Sequence, residues 1–252
     1  MDLHIIIPTY NEADNLRKLV SALFSLPLTT GLKILVIDDN SPDGTGEIAD
    51  ELAQDHPGNL SVLHRPNKLG LGTAYITGFQ MAIEAGADSI IQMDADFSHP
   101  PEKVVQLLGA LATTDAALGS RYVPGGMVDE RWPVWRKSLS AFGNSYAKNI
   151  LRLPVNDATG GFRAWRRETL LGMPLERVRS NGYAFQVEMA YIAYRLGYSF
   201  VEIPFYFADR QWGHSKMSFR IQVEAALRVW QILYAYRDLT AAQRSNPDSL
   251  SM

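Results

Sequence analysis

The sequence predicts an α/β protein built on a mostly parallel sheet that is flanked by helices. Short apolar runs alternate with amphipathic helical patterns over residues 3–122. Strands that alternate with helices of this length are typical of a doubly wound parallel sheet. Polar residues follow directly on several of the apolar runs, which is where ligand-binding residues lie in such sheets. The second half adds long amphipathic helical patterns towards the C-terminus.

Five apolar runs in the first half predict strands, because they are short, rich in branched residues and bounded by turn residues. They are Leu3–Pro8, Lys33–Ile37, Leu60–His64, Ile90–Met93 and Ala116–Tyr122. Four helices are predicted between them, starting after the cap residue Asn11, after the turn 40–44, at Gly70–Gly72 and at Pro100–Pro101. Gly70-Leu71-Gly72 is only weakly similar to a phosphate-binding loop, and we interpret it as a turn.

The second half is less regular. Its apolar patterns predict helices at 134–153, 185–196 and 218–236, a glycine turn with a short strand within 157–165, and a strand at 200–207. We expect one domain over residues 1–237, followed by a polar tail over 238–252 that is disordered.

The composition narrows the class of protein. Twenty-four basic and 27 acidic residues give a net charge of −3, which argues against nucleic acid as a partner. Cysteine is absent, so disulfides and thiolate metal sites are excluded. The N-terminus enters a strand pattern without a signal-peptide pattern, and no stretch has the apolar length of a membrane span. We therefore expect a soluble or peripheral protein.

The pair Asp94 and Asp96 stands directly after the predicted strand Ile90–Met93. Two carboxylates this close repel one another and resist burial, and a divalent cation removes both penalties. Mg²⁺ is usually held by one or two carboxylates together with substrate phosphates. The pair therefore predicts a metal site for a phosphorylated substrate, rather than the simpler alternative of a helix cap with a solvated acid.

Three segments carry a resemblance to a known family: Ile7–Glu12, Val36–Thr45 and Met93–Pro100. They resemble the inverting, nucleotide-sugar-dependent glycosyltransferases of family 2 with the GT-A fold, which is Rossmann-like. Three later segments, Gly119–Tyr122, Gly160–Arg163 and Arg210–Lys216, make the chain similar to the dolichol-phosphate (polyprenol-phosphate) mannosyltransferases within that family. The resemblance spans roughly residues 3–220.

The resemblance implies a role for each motif. A nucleoside would be held by residues at the ends of the first two strands: Pro8, Tyr10, Glu12, Ile37 and Asp39. The carboxylate of Asp39 would suit ribose hydroxyls or base N–H groups, and Asp38 is expected to be structural. Mg²⁺ or Mn²⁺ on the donor diphosphate would be bound by Asp94 and Asp96, with Ala95 between them and Ser98 as a further ligand where some relatives carry glutamine.

Three cationic residues, Arg121, Arg210 and Lys216, are expected to contact donor or acceptor phosphate and, with Asp96, to form the catalytic set. Arginine suits bidentate phosphate binding, and lysine acts as a point charge. Arg121 could instead be a surface ion-pair partner, and Arg210 and Lys216 could belong to a solvated basic loop. Asp157 and Arg163 are expected to brace the loop on the acceptor side, and His99 is expected to be a loop residue rather than a base.

The implied reaction is transfer of mannose from GDP-mannose to a dolichyl or polyprenyl phosphate by one inverting displacement. A phosphate monoester is largely ionised near neutral pH, because its second pKa is about 6, so no strong protein base is needed. An α-linked donor would give a polyprenyl β-mannosyl phosphate.

The acceptor implies contact with a membrane. The helical pattern at 134–153 combines Trp135 and Phe142 with Arg136 and Lys137, a composition that suits either core packing or an interfacial position. Many members of the family carry transmembrane helices that are not found in this sequence. We therefore expect a cytoplasmic protein that is peripheral on the cytoplasmic membrane face, reaching its acceptor directly or through a separate membrane subunit.

Two alternatives remain open at this stage. One is the same chemistry with UDP-glucose or another donor, and the other is a catalytically silent, membrane-recruited scaffold of the same fold. A processive polysaccharide synthase is disfavoured, because the sequence has neither a predicted membrane channel nor a Gln-x-x-Arg-Trp motif.

Overall fold

A computed structural model describes residues 2–208 and 219–244, with the backbone alone for 219–225. Residues 209–218 and 245–252 lie outside the described part. The strands are β1 (Asp2–Thr9), β2 (Gly31–Asp38), β3 (Leu60–His64), β4 (Ser89–Gln92), β5 (Ala116–Ser120), β6 (Met127–Val128), β7 (Arg163–Arg166), β8 (Phe200–Pro204) and β9 (Tyr206–Phe207). The α-helices are α1 (Ala13–Phe24), α2 (Thr45–Asp55), α3 (Leu71–Glu84), α4 (Lys103–Ala110), α5 (Val134–Leu151), α6 (Arg167–Leu171), α7 (Gly182–Arg195) and α8 (Phe219–Ala235).

Seven strands form one sheet in the order β3-β2-β1-β4-β7-β5-β8. All neighbouring pairs are parallel except those of β7, which runs antiparallel to both β4 and β5. The predicted parallel α/β architecture is therefore confirmed. The antiparallel strand was predicted only as a short strand after a glycine turn, because four residues give no signal of direction.

Both faces of the sheet are covered by helices, which explains the unbroken apolar runs of its central strands. Along β1, Ile6 points into a core formed with α3, α5, α7 and α8, whereas Ile5 and Ile7 point into a core formed with α1, α2 and α4. All three side chains are fully buried. Alternation along one strand thus divides the apolar residues between two cores.

The strand predicted at 200–207 is interrupted at Pro204. Proline has no N–H to continue a ladder, and the chain leaves the main sheet there. Beyond it β9 pairs with β6 in a separate parallel sheet of two strands. Several helix boundaries also differ from the prediction. Helix α7 starts at Gly182 rather than 185, and α5 ends at Leu151, after which Arg152 takes a left-handed conformation with a φ of 53°.

The start of the polar tail is ordered, contrary to the expectation for residues 238–244. Asp238 pairs with Arg177, Leu239 is buried, and Arg244 donates to Asp115 at 3.1 Å. A 3₁₀ turn at Ala241–Gln243 links these contacts. Polarity alone does not reveal such ion pairs, because their partners lie far away in the sequence.

Helix α8 is held against the fold by a buried carboxylate. Glu188 of α7 accepts a hydrogen bond from the Tyr236 hydroxyl at 2.8 Å and another from the backbone N–H of Ser180 at 2.7 Å. Burial and the neighbouring charge of Glu188 raise the pKa of Tyr236, so the phenol is neutral and donates at physiological pH.

We expect Tyr236→Phe to lower the free energy of unfolding by about 1–3 kcal/mol, because the buried Glu188 carboxylate loses a donor. Thermal denaturation should show a fall of about 2–4 °C per kcal/mol for a chain of this size. Tyr234→Phe is the matched control, since Tyr234 lies on the same segment and is 62% exposed. Equal stability of the two variants would contradict this role for Glu188.

Candidate functional site

Four strands deliver their polar ends to the same edge of the sheet, because β1, β2, β4 and β5 all run in one direction. The backbone is unusual at this edge. Asn11, Asn40 and Phe97 follow β1, β2 and β4, and each has a φ between 57° and 63°. Non-glycine residues in the left-handed region are uncommon and cluster at functional sites. The geometry therefore marks this edge as the candidate site.

The residues predicted to hold a nucleoside lie on adjoining ends of β1 and β2. Pro8 and Ile37 are partners in the parallel register of the two strands. The Lys68 ammonium lies over the Tyr10 ring, 3.6 Å from its centroid. The backbone N–H of Glu12 donates to the Thr45 hydroxyl at 2.9 Å, and its carboxylate accepts from Asn15.

Two consecutive acids at the end of β2 have different surroundings. The buried carboxylate of Asp38 accepts from the Thr9 hydroxyl at 3.0 Å and from the backbone N–H of Ser41 at 2.9 Å. These bonds tie the ends of β1 and β2 together, as expected of a structural residue. Asp39 is also buried and forms an ion pair with Arg65.

Arg65 is a site residue that the sequence motifs did not indicate. It follows β3 directly, and its buried guanidinium also donates to the Thr73 hydroxyl at 2.8 Å and to the Gly70 carbonyl at 3.0 Å. It thereby fixes the Asp39 carboxylate relative to the start of α3. Its position in the sequence is the signal that could have indicated this role. Arg65 directly follows β3, and β3 is the neighbour of β2, the strand that Asp39 follows.

The acidic pair after β4 is held by its own loop. Asp96 is buried, and its Oδ1 accepts from the backbone N–H of Ser98 at 3.0 Å and from the Ser98 hydroxyl at 2.6 Å. Asp94 is more open, with a side chain 31% exposed, and its Oδ1 accepts from the Tyr75 hydroxyl at 3.3 Å. Burial, followed by the charge of Asp94, raises the pKa of Tyr75 well above its usual value. The phenol therefore stays a donor.

His99 completes the acidic loop through a hydrogen bond to its backbone. Its Nδ1 accepts the backbone N–H of Asp94 at 3.0 Å, which requires an unprotonated nitrogen there. The ring is buried and stacks on Phe162 with centroids 4.9 Å apart. His99 therefore shapes the turn that presents Asp94, in agreement with the expectation of a loop residue.

The donor set at this loop fits a hard divalent cation. Asp94 and Asp96 offer carboxylate oxygens two residues apart, with the Ser98 hydroxyl beside them. Within residues 2–208 and 226–244, no three His, Asp or Glu side chains converge on a metal-binding group. A site with two carboxylates leaves the other positions to water and substrate phosphates, which is how Mg²⁺ is commonly bound.

Arg121, at the end of β5, forms a buried bidentate pair with Asp157. Its Nε and one terminal nitrogen donate to the two carboxylate oxygens at 2.7 and 2.8 Å. Burial opposes the charged guanidinium, but the charge and hydrogen bonds of Asp157 outweigh burial and raise the pKa of Arg121. The same pairing holds the pKa of Asp157 below its usual value despite burial. The guanidinium of Arg121 is therefore fixed in place, and phosphate contact by it stays a prediction.

Arg163 holds the neighbouring glycine turn through main-chain oxygens. Its guanidinium is fully buried and donates to the carbonyls of Ala158, Gly160 and Gln186 at 2.7–2.9 Å. Burial lowers the pKa of Arg163 to about 10, so the group is still charged at neutral pH. Arg163 thus braces the loop that follows Asp157, as the sequence predicts.

The remaining cationic candidates, Arg210 and Lys216, lie outside the described residues. Their expected phosphate contacts stay predictions. Of the site residues that the sequence predicts, the structure brings together those on β1 and β2, those after β4, and Arg121 after β5, all at one edge.

Large apolar side chains are exposed on α5 and α8, two helices that pack together. They include Trp135 and Phe142 of α5 and Leu227, Trp230 and Tyr234 of α8. The Trp230 indole donates to the Tyr146 hydroxyl at 3.0 Å, which joins the two helices. We refer to these five exposed residues as the aromatic ridge. In the described part of the chain, none of the helices combines the length and apolar character of a membrane span.

Comparison with known proteins places this site in a family. Residues 4–171 match the family model of Glycosyl transferase family 2, which includes every predicted site residue except Arg210 and Lys216. Among solved structures, the chain is similar to glucosyl-3-phosphoglycerate synthase from Mycobacterium tuberculosis in complex with Mn²⁺, UDP and glucosyl-3-phosphoglycerate. The TM-score is 0.63 at 15% identity, over 98% of this chain and 81% of that one. Mannosyl-3-phosphoglycerate synthase from Rubrobacter xylanophilus gives a TM-score of 0.64 at 19% identity, over all of this chain and 78% of that one. Both show the shared GT-A fold.

Sequence relatives are much closer. The chain is 46% identical to the polyprenol monophosphomannose synthase of Mycolicibacterium smegmatis, over 85% of this chain and 80% of that protein. It is 44% identical to the undecaprenyl-phosphate mannosyltransferase of Micrococcus luteus, over 94% of this chain and 96% of that protein. It is 36% identical to the dolichol-phosphate mannosyltransferase of Pyrococcus furiosus, over 92% of this chain and 64% of that protein. The chain therefore belongs to glycosyltransferase family 2, among its polyprenol-phosphate mannosyltransferases.

Proposed function

We propose that this chain transfers mannose from GDP-mannose to a polyprenyl phosphate with inversion of the anomeric configuration. The observation that carries the proposal is the 44% identity over 96% of the length of the undecaprenyl-phosphate mannosyltransferase. The site geometry supports it, because the acidic pair after β4 lies between strands suited to a nucleoside and strands that carry buried cations.

The nucleoside would lie over the ends of β1 and β2, among the five candidates there: Pro8, Tyr10, Glu12, Ile37 and Asp39. Asp39 is the residue with the clearest chemistry, since a carboxylate accepts from ribose hydroxyls or base N–H groups. Its ion pair with Arg65 fixes one carboxylate oxygen. The Tyr10 ring would offer a flat apolar surface to the base.

The donor diphosphate would lie over the loop after β4. Asp94 and Asp96 would hold a divalent cation, Mg²⁺ or Mn²⁺, with Ala95 between them and Ser98 orienting Asp96 or acting as a further ligand. When bound, such a cation compensates the charge that develops on the departing diphosphate. Tyr75 would keep Asp94 turned towards the site through its hydrogen bond.

The reaction forms a bond between an acceptor phosphate oxygen and the anomeric carbon, while the bond from that carbon to the GDP oxygen breaks. The acceptor is already an anion, so the chain has to align it and compensate charge rather than remove a proton. Arg121, Arg210 and Lys216 are the candidates for phosphate contact. Because Asp157 engages two of its donors, Arg121 would act from a fixed position.

The acceptor's polyprenyl chain requires a hydrophobic environment, and the aromatic ridge supports a peripheral position on a membrane. Aromatic and aliphatic side chains that project from amphipathic helices insert at the boundary between headgroups and acyl chains. We place the protein on the cytoplasmic face, docked directly or with a separate membrane subunit.

The first test is transfer itself. Purified protein incubated with GDP-mannose, Mn²⁺ and undecaprenyl phosphate should yield a lipid-linked mannose with the β configuration, detected by mass spectrometry and NMR. UDP-glucose in place of GDP-mannose should give little product. If the protein prefers UDP-glucose, the donor in our proposal is wrong and UDP-glucose takes its place. If no nucleotide sugar gives product, the alternative of a catalytically silent scaffold is favoured.

The second test concerns the acidic pair. Asp94→Asn and Asp96→Asn should each reduce kcat by about a hundredfold or more, because each removes part of the charge that binds the cation. Mn²⁺ binding, followed by electron paramagnetic resonance with GDP present, should weaken in parallel. Asp55→Asn is the control, since Asp55 is exposed on α2 with a side chain 65% accessible. Unchanged Mn²⁺ affinity in both site variants would refute the metal assignment.

The third test concerns the aromatic ridge. The double substitution Trp135→Ala and Phe142→Ala should reduce sedimentation with phosphatidylglycerol vesicles by about tenfold or more, because burying two aromatic side chains contributes several kcal/mol. Activity towards a short water-soluble prenyl phosphate should be kept. Val105→Ala on α4, on the opposite face of the sheet, is the control. Equal vesicle binding by all three proteins would count against a membrane-facing ridge.

A further inference from the structure

Gln186, on the second turn of α7, is almost completely buried, with 2% of its surface exposed. Its carbonyl oxygen accepts from Arg163 at 2.7 Å, so the backbone at this residue is tied to the glycine turn 160–161. No motif in the sequence pointed to this residue.

A chain of hydrogen bonds fixes the orientation of its side-chain amide. The Trp165 indole can only donate, and it donates to Oε1 of Gln92 at 2.7 Å. Nε2 of Gln92 therefore faces Oε1 of Gln186, at 3.3 Å. The hydrogen bonds therefore assign the oxygen and nitrogen of the Gln186 amide. The oxygen faces Gln92, and the nitrogen points away from it.

Nε2 of Gln186 makes no hydrogen bond within the described residues. A buried donor without a partner is costly, so such a group calls for a functional explanation. Gly161 lies beside the amide, and a Cβ there would stand 3.3 Å from Nε2 and 3.6 Å from Cε1 of His99. A side chain at position 161 would press against the amide nitrogen, and glycine avoids that contact.

The sheet order gives the location of this donor relative to the substrates. The nucleoside candidates lie on β1 and β2, the acidic pair follows β4, and β7 comes next on the far side. Gln92 of β4 is in register with Arg163 of β7, so Gln186 belongs to this far side. The preceding residue, Phe185, stacks on Tyr75, which donates to Asp94. The amide therefore lies on the β7 side of the acidic pair, where we expect the acceptor.

We propose that Gln186 Nε2 donates a hydrogen bond to an oxygen of the acceptor phosphate, an inference that rests on the proposed function. A neutral amide suits this position, because it attracts an anionic nucleophile without taking a proton from it. A carboxylate at the same place would repel the phosphate. Gln186 thus helps to select an acceptor that is already ionised.

The experiment compares Gln186→Leu, Gln186→Glu and Gly161→Ala with wild-type protein. The first removes the donor, the second replaces it with an anion of the same shape, and the third places a methyl group over an intact amide. Gln80→Leu is the control for the first two, since Gln80 is exposed on α3. Gly109→Ala is the control for the third, because nothing lies within 4 Å of the added Cβ.

We expect kcat/KM for undecaprenyl phosphate to fall about ten- to hundredfold in Gln186→Leu, as for the loss of a hydrogen bond to a charged group. It should fall further in Gln186→Glu and to a smaller extent in Gly161→Ala. Calorimetric affinity for GDP with Mn²⁺ should stay within about twofold of wild type, which also shows that each variant is folded.

Wild-type acceptor kinetics in Gln186→Leu would overturn the inference, as would a loss confined to GDP-mannose binding. Full activity of Gln186→Glu would overturn it too, since a carboxylate could accept from a sugar hydroxyl but not donate to phosphate. If Gln186→Leu fails to bind nucleotide, kcat/KM of Gly161→Ala for undecaprenyl phosphate tests the inference instead. A wild-type value would overturn the inference, and a reduced value would support it. A wild-type protein that transfers nothing to polyprenyl phosphate would instead refute the proposed function.

Discussion

Burial of carboxylates at the polar edge of the sheet is the constraint on which the site depends. Asp38, Asp39, Asp96 and Asp157 are all nearly inaccessible to solvent, and burial of such polar groups is costly unless hydrogen-bond donors reach them. Asp39 and Asp157 are matched by Arg65 and Arg121. Asp38 accepts from the Thr9 hydroxyl of β1 and from a backbone N–H of the turn that follows it. Asp96 accepts from the hydroxyl and the backbone N–H of Ser98 in its own loop. The loops at this edge are therefore shaped by the need to satisfy acids.

This constraint links distant parts of the sequence. Arg65 follows β3 yet fixes an acid that follows β2, and Tyr75 of α3 donates to Asp94 after β4. Arg163 of β7 holds both the glycine turn and the second turn of α7. A substitution in these supporting residues should change the position of groups that contact substrate, because the interior between them is closely packed.

Much of this arrangement could be predicted from the sequence, because it follows local rules. Apolar runs and caps place the first five strands, and acids directly after a strand must lie at its carboxyl end. Arg65 and Gln186 could not be found this way, since their roles depend on which strands become neighbours. The antiparallel direction of β7 and the departure of β9 at Pro204 also arise from tertiary pairing. The order of residues 238–244 could not be predicted for the same reason, because their anchors Arg177 and Asp115 are remote in sequence.

The reversed direction of β7 has a consequence for the segment between β5 and β7. The chain leaves the sheet after β5 and returns into β7 at the same edge, so the whole excursion from Arg121 to Phe162 starts and finishes beside the candidate site. The Arg121–Asp157 pair joins two points near its base. Other parts of the excursion are tied to later elements, since β6 pairs with β9, α5 packs against α8, and Glu202 of β8 accepts from the backbone N–H of Asp157. The excursion is therefore an integral part of the fold rather than an independent insertion.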